Sequence, residues 1–147
     1  MNANLVFLTN LLSTWYLMGL IWMVQVVHYE LFDRVGADQF ARYETDHTRL
    51  ITPIVALPML IELISAMGLI AMSPAGFPRW AAWAGLALIG VVWLTTFFVS
   101  VPCHSTLVNG FDQDAYRKLV NTNWIRTIAW SLRGILLGYF TVRLING

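Results

Sequence analysis

The sequence predicts an all-α fold: an integral membrane four-helix bundle in a single domain. Three observations predict it. The chain of 147 residues is 58% hydrophobic and only 12% charged, about half the roughly 25% usual in soluble domains. Its apolar residues fall into four runs, each close to the ~20 residues that span a bilayer as helix. Within the four runs the only formal charges are Glu62, Arg126, Arg133 and Arg143.

The first run, Leu5 to Val27, holds no formal charge. It lacks a basic leader and a small-x-small cleavage site, and it is longer than the apolar part of a signal peptide, so it reads as a retained helix. The second, Ile51 to Met72, contains one charge, Glu62. The third, Trp80 to Val101, contains none, and the fourth, Trp124 to Ile145, contains Arg126, Arg133 and Arg143. Four spans place both termini on one side. Arg34, Arg42, Arg49, Arg117, Lys118 and Arg126 lie at the other side, against Arg79 and Arg143. The positive-inside rule then sets both polar connections in the cytoplasm and both termini outside, in a cell (inner) membrane. A net charge of +1 argues against a nucleic-acid partner, and the single Cys103 forbids an internal disulfide or a Cys-pair metal motif.

The two connections resemble each other. "GADQFARY" (36–43) and "GFDQDAYR" (110–117) both read Gly-x-Asp-Gln-x-Ala, and a histidine precedes each, His28 and His104. This suggests two parallel helix–loop helix–helix repeats related by an axis along the membrane normal. Each connection contains an amphipathic stretch, about 38–50 and 112–121, expected to lie at the interface as a short helix. Asp112 is placed to cap the second, with Phe111 packing on Tyr116 as a staple. In the first, Phe40, Tyr43, His47 and Leu50 share the apolar face.

All three histidines, His28, His47 and His104, thus map to one end of the bundle, with Glu30, Glu44 and Cys103 at the same level. Glu44 and His47 have the Glu-x-x-His spacing that places both side chains together on one helix face, as in di-metal carboxylate bundles. Imidazole and carboxylate suit zinc, copper or iron. A non-covalent haem held by His28 and His104 is the other cofactor the pattern allows, since there is no CxxCH. Against these stands the plain reading of interfacial histidines with wet tips.

Glu62 and Arg133 sit at equal expected depth near the bilayer centre, where a lone charge costs roughly 2.5–3.5 kcal/mol on insertion scales. They are therefore expected to pair, either as a structural lock or as the floor of a pocket with Glu62 moving protons. Gly134-x-x-x-Gly138 and Ala81-x-x-x-Gly85 offer seats for a neighbouring helix, within the chain or in a homodimer or larger membrane complex. Trp80 and Trp124 begin spans, as an aromatic belt would, while Trp22, Trp83, Trp93 and Trp130 are expected to pack inside.

"VPCHSTL" (101–107) and "NWIRT" (123–127) resemble the Pro-x-Asn-x-x-Leu and Asn-x-x-Arg-Thr signatures of the anthrone-oxygenase-like family of small four-helix membrane proteins. The match covers Pro102, Leu107, Asn123, Arg126 and Thr127, all in the second half, and departs at His104, where the family has Asn. The resemblance implies the same four-helix architecture, and oxygenation of polycyclic anthrones without a cofactor, as some fungal members are linked to. Asn123 and Arg126 share a face at the start of the fourth span. Arg126 either holds an anionic group beside the histidines or snorkels to lipid phosphates.

Three functions fit these residues. One is a membrane-embedded oxidoreductase or oxygenase acting on a lipophilic small molecule, with His28, His47, His104 and Glu44 holding a metal, or the histidines serving as acid–base groups, and with Glu62, Arg133, Arg126 and Asn123 around the reacting centre. The second is a non-enzymatic subunit of a larger membrane complex. The third is a small proton-coupled transporter built around Glu62. No Gly-rich phosphate loop and no Ser/His/Asp spacing is present.

Overall fold

The computed structural model describes residues 2–146. Four helices run up and down: α1 Ala3–Arg34, α2 Ala37–Ala71, α3 Arg79–Leu107 and α4 Gln113–Asn146, all long and apolar enough to cross a membrane. Each packs on its two neighbours in the order α1–α2–α3–α4, closing a ring. The chain is a multi-pass membrane protein by this architecture. Its outer face is apolar, with Trp83, Phe98 and Ile135 among the large exposed side chains, as lipid contact requires.

The two stretches expected as separate interfacial helices are helical, but they are the opening turns of α2 and α4. No glycine or proline interrupts residues 38–50 or 113–124, so nothing bends the chain between loop and span. Even Pro53 and Pro58 leave α2 continuous. Proline at position i frees the carbonyl of residue i−4, and Tyr16 Oη reaches the Ile54 carbonyl at 3.5 Å, the one Pro58 releases.

Asp112 accepts a bond from the Ala115 N–H at 2.7 Å and caps α4, and the Phe111 and Tyr116 rings lie 5.4 Å apart. The matching Asp38 does a different job. It sits in the first turn of α2, whose cap is Gly36. Gly110 has φ +135°, a conformation open to glycine, whereas Gly36 has φ −57°. The two loops share letters without sharing geometry. What the halves do share is a wide π turn in the first helix of each, Val24–His28 in α1 and Thr96–Ser100 in α3. Such turns often mark functional positions. In α3 the π turn lies just before Pro102, which cannot donate to the ladder.

The interior has two apolar clusters. The one at the histidine end includes Leu17, Ile21, Phe32, Phe40, Leu107, Leu119 and Trp130. The other, at the end of the termini, includes Val6, Phe7, Leu69, Phe77, Leu137 and Phe140. A polar layer of Asn10, Thr14, Glu62, Ser65 and Arg133 separates them, all buried. The small residues serve packing inside the chain. A Cβ on Gly134 would meet Met18 Sδ at 2.5 Å, and one on Gly85 would meet Arg133 Nη1 at 2.6 Å. Trp130 and Trp93 are turned inward as expected, but Trp22 and Trp83 are exposed. An indole on the lipid side needs no cavity, and Trp22 Nε1 satisfies itself on Ser131 Oγ at 2.9 Å.

Candidate functional site

The first turns of α2 aim Phe40 and Glu44 inward, both fully buried, with His47 half-buried one turn on. Helical spacing puts Glu44 and His47 side by side. From α3, His104 reaches across to Glu44, its Nδ1 2.5 Å from Oε1. The other ring nitrogen of His104 lies 3.3 Å from Tyr29 Oη of α1. His28, at the end of the α1 π turn, places Nε2 2.9 Å from His47 Nδ1. Tyr29 is itself pinned, since Tyr116 Oη donates to its carbonyl at 3.1 Å. The Phe32 ring stands edge-on to His28 and His47, with centroids 4.9 and 5.4 Å away.

One ligand atom each from Glu44, His47 and His104 lies within 4.8 Å of the others, a group that could hold a metal ion. Glu44 Oε2 is buried and has no hydrogen-bond partner. Burying a carboxylate oxygen unpaired is costly, and a cation there would satisfy it. His28 does not join this set. Its place is behind His47, where a bond to the second ring nitrogen would fix that ring's tautomer and orientation. Glu30 points outward and Cys103 is buried in the apolar cluster.

The site does not suit a haem between His28 and His104. The His47 ring lies 4.4 Å from His28 and 5.4 Å from His104, in contact with both. A macrocycle sandwiched by the two proposed axial ligands would have to displace it.

The histidine cluster closes one end of a cavity of about 260 Å³. Leu17, Ile21 and Val24 of α1, Val55 and Met59 of α2, Trp93 and Phe97 of α3, and Trp130 of α4 form its apolar walls. His47, His104, Tyr29, Ser100 and Arg126 supply its polar groups. The exposed lining residues are Thr52 and Ala56 of α2 and Phe97 and Val101 of α3. The cavity thus opens sideways between α2 and α3, toward lipid, beside the α3 π turn.

Arg126 faces this cavity and does not snorkel. It is 6% exposed, packs against the Trp130 ring with Cζ 5.4 Å from its centroid, and donates from Nη1 to Ser100 Oγ at 3.1 Å. Its Nε has no partner, and none of the ion pairs among the described residues involves it. The helix turns Arg126 inward because the residue sits on the same stripe as Trp130 and Arg133, i+4 and i+7, which all pack into the bundle.

Asn123 is buried but holds scaffold. Its Nδ2 donates to Gln25 Oε1 at 2.9 Å, tying α4 to the α1 π turn. It does not line the cavity.

Glu62 and Arg133 do pair, with Arg133 Nε donating to Glu62 Oε1 at 2.9 Å. The same carboxylate accepts from Thr14 Oγ1 at 2.7 Å and from Trp130 Nε1 at 3.1 Å. Arg133 Nη2 donates to Asn10 Oδ1 at 2.6 Å, and Asn10 Nδ2 donates to the Glu62 carbonyl and to Ser65 Oγ, both at 2.9 Å. This network ties α1, α2 and α4 together. It does not line the cavity and so forms no pocket floor; Trp130 stands between.

Sequence reasoning gave no role to Tyr29, Gln25, Asn10 or Thr14. For Asn10 and Thr14 a signal existed: with Thr9 and Ser13 they make a polar group at helical spacing in the first half of a span without formal charge. Tyr29 carried no such signal, because its reach to His104 depends on where α3 stands.

Comparison with protein-family models, with curated proteins and with solved structures gives no match for this chain.

Proposed function

We propose that this chain is a membrane-embedded oxidoreductase of the oxygenase type, which takes a lipophilic small molecule from the bilayer and presents it to a metal held by Glu44, His47 and His104. The observation that carries the reading is that cluster at the closed end of a lipid-facing cavity. Two histidines and one carboxylate with open positions form the ligand set associated with non-haem iron(II) oxygenases. Bound there, the metal would supply the redox chemistry. The chain's own residues supply the rest: His28 holds His47 by its second nitrogen, and the apolar walls exclude water. Tyr29 holds the Nε2 side of His104. The partial resemblance to anthrone-oxygenase-like proteins, which implies oxygenation without a cofactor, supports the oxygenation reaction and not the metal.

The test is anaerobic loading of the purified chain with iron(II), followed by metal analysis and the electron paramagnetic resonance signal of the nitric oxide adduct. One iron per chain is expected, lost in both His47→Ala and His104→Ala. Substoichiometric metal, or metal retained in both variants, overturns the metal reading.

A specific observation favours a second reading. Tyr29, His104 and Glu44 already form a hydrogen-bonded chain. A carboxylate that orients an imidazole, which contacts a third group, is the arrangement of a general base. Such a relay would abstract a proton from the lipophile without a cofactor. Activity that survives complete chelation and is lost in His104→Gln selects it.

Six basic residues at the histidine end favour its placement in the cytoplasm of a cell membrane, which accessibility labelling of cysteines introduced at 37 and 75 would test. Duplication of a two-helix unit would account for a π turn in each half.

A further inference from the structure

The cavity's polar end contains a cation with no counter-charge. Burying a guanidinium without an anion is unfavourable unless a ligand or water completes it. Glu62, the carboxylate nearest the bilayer centre, is fully engaged with Arg133, Thr14 and Trp130, and Glu44 faces His104. Neither answers Arg126, and its other polar neighbour, the Tyr29 phenol, is uncharged at neutral pH and so supplies no counter-charge. Its Nε is free, and the residue lines the same space as the apolar walls.

Depth adds a second constraint. Arg126 lies two turns before Arg133 along α4, about 10 Å nearer the histidine end at ~1.5 Å per residue. Leu17, Met59 and Trp130 line the cavity on the side toward the bilayer centre. A molecule lying in the leaflet with its charged head near the surface and its apolar body inward would enter between α2 and α3 already in this orientation.

We infer that the site's ligand is a lipophilic monocarboxylate, whose head is bound by the Arg126 guanidinium and whose apolar body fills the cavity toward Met59 and Trp130. This rests on the functional reading above for the site, and names its substrate class. The guanidinium matches a carboxylate in shape and charge, and its low hydration suits a buried pair. A neutral lipophile would leave the cation unanswered. Ser100, bonded to Nη1, positions the guanidinium.

Saturable binding of tritiated decanoate and tritiated decanol to the chain in zwitterionic nanodiscs, with empty nanodiscs subtracted, tests this. Decanoate is expected to bind at least about tenfold more tightly than decanol, a difference of ~1.4 kcal/mol. Arg126→Gln should abolish that preference, and Arg126→Lys should retain part of it. Circular dichroism checks that each variant is folded, and the lysine variant keeps the test meaningful if glutamine disturbs the bundle. Equal binding of acid and alcohol, absence of saturable decanoate binding, or a preference that survives in folded Arg126→Gln overturns the inference. Iron content is measured on the same samples. Preference for decanoate in a chain that binds no iron would sink the metal reading and leave this one standing, while iron without preference would do the reverse.

Discussion

Replacing Glu62 by Gln keeps the side chain's size and removes its charge, and so isolates what the buried ion pair contributes. Arg133 is 2% exposed and Glu62 is fully buried. Without the carboxylate, Arg133 becomes a lone cation near the bilayer centre, which costs roughly 2.5–3.5 kcal/mol on insertion scales. The amide also presents an NH₂ group either to Trp130 Nε1 at the Oε2 position or to Arg133 Nε at the Oε1 position, and both of these groups can only donate. At least one of those bonds is lost, at about 0.6 kcal/mol for a typical bond between membrane helices. The expected loss is therefore about 3–4 kcal/mol, in line with the ~3–5 kcal/mol found on breaking a buried pair. Reversible SDS unfolding in mixed micelles, followed by circular dichroism, measures it. A double-mutant cycle with Arg133→Met should show strong coupling, because the second change removes the charge that the first left stranded. A Glu62→Gln variant within about 1 kcal/mol of wild type, or additive single and double changes, would refute the lock.

Arg126 should behave in the opposite way from Arg133. Arg126→Met removes a cation that has no counter-charge and only the neutral Ser100 and Tyr29 hydroxyls as polar partners, so thermal unfolding in detergent should show unchanged or raised stability, whereas Arg133→Met should lower it; matching losses would contradict the assignment. Gly85→Ala drives a methyl to within 2.6 Å of Arg133 Nη1 and should destabilise by ~1–3 kcal/mol as overpacking, while Gly90→Ala, with nothing within 4 Å, should be neutral or gain up to about 1 kcal/mol by helix propensity. The same unfolding assay reads both, and equal effects would argue against the close approach at Gly85. His28→Ala should weaken metal binding by about 10–100-fold through release of His47, measured by competition with a chromophoric chelator; loss of all metal would make His28 a direct ligand instead.

The four spans, their up-and-down order and the gathering of the histidines at one end were legible in the residues, because hydrophobicity and length are properties of each segment alone. The Glu62–Arg133 pair was legible for a related reason: two charges at one depth in lipid have few other partners. The Asp112 cap and its staple involve neighbours in sequence, so they too could be read locally. The roles of Arg126, Asn123 and His28 could not. Each depended on how its helix is rotated about its axis and on what stands opposite. The 126-130-133 stripe of α4 turns Arg126 into the bundle, where composition alone allowed snorkelling. The π turn in α1 and the position of α2 set His28 behind His47, where spacing alone had matched it with His104. Sequence determined which residues occupy each level of the membrane; only packing of the helices against one another decided which of them face the same cavity, since rotation and register are fixed by contacts between segments far apart in the chain.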